Sequence, residues 1–144
     1  MRAVSIASDF TFPLADRPGA LAGLAARLRA ADVNLLAIRA LPEDGGEFAI
    51  IGCVPESADQ FREFAESAGL AVTEQPVVWV EGVDETGALR HILEQVASAG
   101  VNLSSIEAVS FAGRYGAVLR IEPAQWPRAM AAVQGTLGEA AGGA

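Results

Sequence analysis

The sequence predicts an α+β sandwich built from two copies of one structural unit, and three observations support this fold class. A long stretch repeats without gaps at an offset of 68 residues, which carries Asp16 onto Asp84. Each copy alternates β-rich runs with amphipathic segments in the order strand, helix, strand, strand, helix, and the first copy adds a last strand. This order places two helices on one face of a four-stranded antiparallel sheet. A hydrophobic content of 51% in 144 residues is sufficient to form packed cores.

The repeat is clearest in one loop and in the strand that follows it. Asp-Arg-Pro-Gly-Ala-Leu at residues 16–21 matches Asp-Glu-Thr-Gly-Ala-Leu at residues 84–89. Val-Asn-Leu at residues 33–35 matches Val-Asn-Leu at residues 101–103. We therefore predict two domains, a first repeat over 1–75 and a second repeat over 76–144.

Apolar spacing predicts the elements of the first repeat. Leucines 21, 24 and 28 together with Ala25 form a stripe at helical spacing. The pair Gly45-Gly46 between two apolar runs predicts a hairpin. The predicted elements are a strand over Val4–Phe12, a helix over Gly19–Ala31, strands over Asn34–Leu41 and Phe48–Val54, a helix over Ser57–Ala68 and a strand over Leu70–Thr73.

The second repeat has the same pattern up to its last helix. Leu89, Ile92, Leu93 and Val96 reproduce the helical stripe of the first repeat. The predicted elements after the interdomain boundary are strands over Val77–Val80, Leu103–Phe111 and Ala117–Ile121 and a helix over Gln125–Leu137. Because no strand-forming residue follows, we expect the second repeat to lack its last strand and the tail after about residue 137 to fray.

Composition excludes several functional classes. Eighteen acidic residues against ten arginines and no lysine give a net charge of −8, which argues against nucleic acid as a partner. A single cysteine, Cys53, and a single histidine, His91, leave little material for a metal centre or a catalytic site. We therefore expect no enzyme activity, no catalytic residue, no metal and no cofactor. The start of the chain is not typical of a signal peptide and no run is long enough to span a membrane, so we expect a cytoplasmic protein without a membrane partner.

Several strands are apolar on both of their alternating faces, as in Ala49–Val54, Val77–Val80 and Ala117–Leu119. A sheet with helices on one side and water on the other should instead alternate between apolar and polar residues. This pattern predicts that the second face is covered by another subunit. We therefore expect a homodimer.

The motif Asp-Arg-Pro-Gly-Ala-Leu, a short amphipathic helix and Val-Asn-Leu opening a strand resemble the ACT domain, and the resemblance covers both repeats. It implies ferredoxin-like βαββαβ repeats lying side by side, with their strands joined into an eight-stranded antiparallel sheet. It also implies allosteric regulation by a small ligand, most often a free amino acid, at the interface between repeats. The chain is most similar to stand-alone tandem ACT proteins, whose regulated enzyme would be a separate partner.

The resemblance implies two pockets, each combining the loop of one repeat with the second-strand start of the other. The first pocket comprises Asp16, Arg17, Pro18, Gly19, Ala20 and Leu21 with Asn102 and Leu103. The second pocket comprises Asp84, Glu85, Thr86, Gly87, Ala88 and Leu89 with Asn34 and Leu35. A loop entering a helix offers N–H groups to a carboxylate, an aspartate accepts from an ammonium group, and an asparagine can do both. The leucines favour a branched aliphatic amino acid.

The two loops differ where the second replaces Arg-Pro by Glu85-Thr86, which adds a negative charge and loses a rigid proline. On this ground the first pocket is the favoured one. An alternative interpretation is that Asp16 and Asp84 only cap helices and that the asparagines only satisfy turn backbone.

Other functions stay open at this point. The repeats could form a purely structural, oligomerising pair without a ligand. An RNA-binding module has the same element order but requires exposed aromatic residues and a basic surface. Acylphosphatase-like chemistry would need Arg17 together with Asn34 or Asn102 around a phosphate.

Overall fold

A computed structural model describes the backbone of residues 2–142 and the side chains of residues 3–135. Six strands and four α-helices lie in this part of the chain. In chain order they are β1 (Arg2–Ala15), α1 (Ala20–Ala30), β2 (Leu35–Pro42), β3 (Phe48–Pro55), α2 (Ala58–Ala68), β4 (Thr73–Val83), α3 (Arg90–Ser98), β5 (Leu103–Phe111), β6 (Arg114–Ile121) and α4 (Trp126–Gly142), with a 3-10 turn over Pro123–Gln125 before α4.

The chain divides into two compact units. The first unit is Ala7–Pro76, and the second unit consists of the described residues before Ala7 together with those after Pro76. Strands β1 and β4 both cross this division, so each contributes residues to both units. The sequence placed the domain boundary between residues 75 and 76, whereas the two units divide between Pro76 and Val77, within β4, and the described residues before Ala7 group with the second unit.

The first unit has the order strand, helix, strand, strand, helix, strand, with its strands arranged β2-β3-β1-β4. Antiparallel pairing sets Phe12 and Ala40 beside Ile51, which puts these three residues on one face of the sheet. Helices α1 and α2 cover this face. The core of the unit contains Phe10, Phe12, Leu24, Leu28, Val33, Ala49, Ile51, Cys53, Phe61, Phe64 and Ala65.

The second unit repeats the arrangement with the order β1-β4-β6-β5, where only the first residues of β1 take part. Its core contains Val4, Val78, Val80, Ile92, Val96, Val101, Tyr115, Ala117, Leu119, Ile121, Trp126, Ala129 and Val133. In the described part of the chain no strand follows α4, as the sequence predicted. The position of the missing strand is taken by the start of β1, because Val4 packs into this core at 6% exposure.

The α+β class and the βαββαβ pattern are confirmed, but the described residues form six strands, whereas the sequence predicted seven and the ACT resemblance implied an eight-stranded sheet. The strand expected over Leu70–Thr73 is not a separate element, because only Thr73 is in a strand and it begins β4, which also contains the expected strand Val77–Val80. The last strand of the second repeat is supplied by β1. Sharing of β1 and β4 between the units accounts for the smaller number.

Helix α4 continues to Gly142, so the expectation that the chain frays after about residue 137 is wrong for residues 138–142. Glu139 and the two alanines that follow it are good helix formers, which favours continuation of the helix. The remainder of the predicted tail, residues 143 and 144, lies outside the described residues.

Some of the apolar residues that do not belong to either core are buried within a single chain. Val54, Val77 and Val118 belong to neither core cluster, yet they are at most 2% exposed within a single chain. Their apolar character therefore does not require a second subunit. The homodimer stays a prediction.

The hairpin between β5 and β6 contains a strained residue. Ala112 has a φ of +52° and Gly113 a φ of +75°, so the loop requires left-handed backbone at two successive positions. A residue with a Cβ atom pays about 1–2 kcal/mol for this conformation. We therefore expect Ala112→Gly to raise the free energy of unfolding by about 1 kcal/mol in urea denaturation. Ala97→Gly inside α3 is the control, where glycine is expected to lower stability by about 1 kcal/mol; equal effects of the two changes would contradict the assignment.

Candidate functional site

The two repeated loops have the same backbone design. Gly19 and Gly87 have φ values of +89° and +79°, in the left-handed region that glycine adopts most easily. The N–H group of Asp16 donates to the carbonyl of Glu47 at 3.0 Å, and that of Asp84 donates to the carbonyl of Gly113 at 2.9 Å. Each loop is therefore tied to the hairpin of its own unit, and the sequence repeat extends to the detailed geometry.

Neither loop aspartate caps a helix. The N-cap residues are Gly19 for α1 and Leu89 for α3, and neither helix start has a side-chain cap. Asp84 instead accepts a hydrogen bond from the hydroxyl of Ser110 through its Oδ2 atom. The alternative interpretation of these aspartates as helix caps is therefore wrong, and the Ser110 contact orients the Asp84 carboxylate.

The second loop borders a cavity of about 420 Å³. The lining residues are Asp84, Glu85, Gly87, Ala88, Leu89, Arg90, Leu93, Ala108, Val109, Ser110 and Tyr115. Acidic and hydroxyl groups lie at the loop, whereas aliphatic side chains and the Tyr115 ring form the remaining wall. This volume lies within the range of about 300–1,000 Å³ that is typical of small-molecule sites. The cavity can therefore accommodate a small ligand with one polar and one apolar end.

Two contacts fix the wall of this cavity. The Tyr115 hydroxyl lies 3.5 Å from the carbonyl of Ala88, to which it donates, so the hairpin and the loop are held together. Arg90, at the first turn of α3, donates through Nε to Glu94 at 2.7 Å. This hydrogen bond raises the pKa of Arg90, whose guanidinium is positively charged at neutral pH in any case.

The first loop borders a smaller cavity of about 180 Å³. The lining residues are Leu14, Ala15, Asp16, Arg17, Ala20, Leu21, Ala40, Pro42, Ala49 and Ile51. The volume is below the usual range for a ligand site. Sequence reasoning favoured the first pocket because of its Arg-Pro motif, whereas cavity volume favours the second loop.

The predicted asparagines are not among the residues that line either cavity. The Asn102 N–H group donates to Oε1 of Gln125 at 2.8 Å, and the Asn34 carbonyl accepts from the N–H of Glu56 at 2.9 Å. Leu35 and Leu103 pack against the cores of their own units. Within the second unit, Asn102 precedes β5, whereas the cavity lies near the other end of that strand. The pairing of each loop with the asparagine of the other repeat stays a prediction.

Sequence reasoning missed six residues of the larger cavity: Arg90, Leu93, Ala108, Val109, Ser110 and Tyr115. Tyr115 stands near the turn at the start of β6, but it is only 8% exposed. Its position beside the hairpin to which the second loop is hydrogen-bonded was the feature that could have indicated Tyr115 as a cavity residue. Ser110 stands where the first repeat has Pro42, so the repeat itself gave no indication of a hydroxyl group.

No three His, Cys, Asp or Glu side chains among the described residues are placed so that they could hold a metal ion. His91 is exposed on α3, outside the residues that line the two cavities. None of the described helices has the length and apolar character needed to cross a membrane.

Cys53 is a core residue, as predicted, and is fully buried in the first unit. Burial and, secondarily, the nearby Asp9 charge raise the pKa of its thiol to about 12. Because the thiolate is the reactive form, we expect no labelling of the native protein by a thiol reagent at neutral pH and full labelling in urea. Labelling of the native protein at the rate of a free thiol would show that the core around Cys53 opens.

The structure is similar to several solved structures. Protein BT0572 from Bacteroides thetaiotaomicron has a TM-score of 0.73 at 17% identity, with 92% of this chain and 90% of that chain covered. The regulatory subunit of aspartate kinase from Thermus thermophilus has a TM-score of 0.57 at 18% identity over 92% and 94% of the two chains. The corresponding subunit from Thermus flavus has a TM-score of 0.52 at 17% identity over 94% and 96%.

No family model matches the chain, and no curated protein matches it. The structural neighbours establish the fold. It is the fold of ACT-domain proteins, the type that the repeated loop and strand motif resembles. The neighbours include regulatory subunits, so the fold is one that regulatory proteins use.

Proposed function

We propose that this protein is a non-enzymatic regulatory sensor that binds a free amino acid with an apolar side chain beside the second loop. The cavity of about 420 Å³ between Asp84–Leu89 and the end of β5 is the observation that carries the proposal. Its combination of acidic loop and aliphatic wall is suited to a small zwitterion with an apolar tail.

Each part of the ligand has a complementary part of the cavity. Asp84, oriented by Ser110, accepts from the α-ammonium group, and Glu85 adds negative charge. The start of α3 and the Arg90 guanidinium attract the carboxylate. Leu89, Leu93 and Ala108 lie beside the side chain of the ligand.

The first loop is proposed as a second, weaker site. Asp16, Arg17 and Leu21 reproduce part of the design, but the cavity there is too small for most amino acids without adjustment. The ACT resemblance also implies that Asn34 and Asn102 contribute to ligand binding, and we retain this as part of the proposal.

Ligand binding regulates a partner only if the ligand has different affinities for two states of the protein, typically by 1–3 kcal/mol. We propose that the partner is a separate enzyme of the cytoplasm and that the regulator acts as a homodimer. The regulatory subunits of aspartate kinase among the structural neighbours support this type of role.

A thermal-shift screen against the twenty amino acids tests the proposal. A ligand present at about 100 times its dissociation constant stabilises the native state by about 2.7 kcal/mol, which raises the melting temperature by several degrees. We expect this for one amino acid or a few related aliphatic ones. If no amino acid raises the melting temperature at millimolar concentration, the sensor proposal fails and the purely structural pair becomes the better interpretation.

A further inference from the structure

Each of the two cavities has one arginine among its lining residues, but the two arginines stand at different positions of the repeat. In the first cavity it is Arg17, which lies in the loop next to Asp16. In the second cavity it is Arg90, the first residue of α3, whereas the loop has Glu85 at the place of Arg17. The positive charge of the second cavity therefore stands on the helix instead of the loop.

The ion-pair partner of Arg90 is also specific to the second unit. Glu94, one turn further along α3, accepts a hydrogen bond from Nε of Arg90 at 2.7 Å. The corresponding residues of α1 are Ala22 and Ala26, so neither member of this pair has a counterpart in the first unit. The repeated fold therefore does not require the pair, which occurs only beside the larger cavity.

Arg90 does not stand where an arginine stabilises a helix. The start of a helix has a partial positive charge, so an acidic side chain is favourable there and a basic one is unfavourable. Helix α2 has Asp59 in its first turn, whereas the first turn of α3 contains no acidic residue and begins with Arg90. An arginine followed by a glutamate four residues later is also the less favourable order for such a pair. Since both side chains are more than half exposed, their ion pair adds little to stability, and the cavity explains the position of Arg90 better than the helix does.

The hydrogen bond to Glu94 leaves most of the Arg90 guanidinium available. An arginine has five N–H groups in one plane, and Glu94 accepts from the single one on Nε. In the described part of the chain, no other hydrogen bond or ion pair involves this side chain. The Nη1 and Nη2 groups can therefore form the paired hydrogen bonds with which arginine binds a carboxylate.

The carboxylates of the second loop are not paired with this guanidinium. Asp84 accepts from Ser110, and among the described residues no ion pair joins Arg90 to Asp84 or to Glu85. The cavity therefore has separate negative and positive groups, one for each charge of a zwitterion. An amine or an amide in the cavity would leave the guanidinium without an anionic partner.

We propose that Arg90 selects a free α-carboxylate, so that the second site accepts amino acids and discriminates against the corresponding amines and amides. Glu94 is a positioning residue, because it holds the guanidinium through Nε while Nη1 and Nη2 remain for the ligand. This inference rests on the proposed function and adds the group that the ligand must have, together with the two residues that impose it.

Isothermal titration calorimetry with three probes that share one aliphatic side chain tests the proposal. The probes are L-leucine, L-leucinamide, in which an amide replaces the carboxylate, and 4-methylpentanoate, which lacks the ammonium group. We expect the wild-type protein to bind L-leucine about tenfold or more tightly than L-leucinamide, because hydrogen bonds to a charged group are the stronger ones. Arg90→Gln is expected to remove this preference by weakening the binding of L-leucine about tenfold, with the affinity for L-leucinamide unchanged.

Two further variants separate the roles of the pair. Arg128→Gln is the matched control, because Arg128 lies in the same unit, is exposed and does not line the cavity. We expect it to keep both affinities. Glu94→Gln is expected to reduce the preference for L-leucine about threefold, and to have no further effect when combined with Arg90→Gln. Equal effects of Glu94→Gln with and without Arg90 would show that Glu94 does not act through the arginine.

The melting temperatures of the unliganded proteins test whether Arg90 serves the fold instead. Because a positive charge at the start of α3 opposes the helix dipole, Arg90→Gln is expected to melt at the same temperature as the wild-type protein or higher. A melting temperature that falls by several degrees would assign Arg90 to the stability of α3 and overturn the proposal.

The titrations distinguish failure of this inference from failure of the sensor proposal. Equal binding of L-leucine and L-leucinamide by the wild-type protein, or an undiminished preference in Arg90→Gln, would overturn only the inference. If the screen selects a different aliphatic amino acid, that amino acid and its amide replace the leucine pair. If no amino acid binds, the sensor proposal fails and 4-methylpentanoate decides the inference: binding that is lost in Arg90→Gln would preserve the carboxylate site, and no binding would overturn it too.

Discussion

Truncation of Phe61 to alanine is expected to lower the free energy of unfolding of the first unit by about 3–5 kcal/mol. Phe61 lies on α2 and is fully buried. Its ring stacks on Phe10 of β1 at a centroid distance of 4.5 Å and meets Phe64 edge-on at 5.6 Å. The ring thus joins α2 to the sheet, and its removal loses aromatic contacts and leaves a cavity.

Urea unfolding followed by far-ultraviolet circular dichroism measures this effect. Phe48→Ala is the matched control, because Phe48 lies in the same unit but is 47% exposed. We expect the control to lose less than about 1 kcal/mol. Similar losses for the two variants would mean that Phe61 is not the centre of the core.

Replacement of Asp84 by alanine is expected to weaken amino-acid binding by about tenfold or more. A hydrogen bond to a charged group contributes about 1.5–3 kcal/mol, which corresponds to this factor. The carboxylate is oriented by Ser110, so Ser110→Ala should weaken binding to a smaller extent. Isothermal titration calorimetry with the amino acid found in the screen measures both changes.

Asp16→Ala is the control for this prediction, because Asp16 is the repeat equivalent of Asp84 and lies beside the smaller cavity. We expect the control to bind the ligand with almost unchanged affinity. The reverse result, with binding lost in Asp16→Ala and kept in Asp84→Ala, would return the site to the first loop, as the sequence alone predicted.

Local patterns in the sequence were sufficient to predict the secondary-structure elements and the geometry of the loops. The spacing of Leu24 and Leu28 predicted α1, and both residues are buried in it. Asp32 and Gly100, which the repeat aligns, both have left-handed backbone at helix ends, with φ values of +57° and +72°. These features depend on neighbours along the chain, which the sequence displays directly.

Contacts between residues that are distant along the chain could not be predicted from the sequence in the same way. That Val4 completes the core of the second unit depends on contacts between residues more than seventy positions apart. The helical continuation of α4 to Gly142 and the absence of a separate strand over Leu70–Thr73 also differed from the prediction. Cavity size depends on how such elements pack, so the Arg-Pro motif at residues 17 and 18 could not reveal that the other loop has the larger cavity.

Nuclear magnetic resonance of the ¹⁵N-labelled protein, titrated with the stabilising amino acid, tests the central claim most directly. We expect the largest changes in amide chemical shift at residues 84–90 and 108–110, around the larger cavity. Shifts confined to residues 16–21, or spread over the chain without a maximum at either loop, would contradict a ligand site at the second loop.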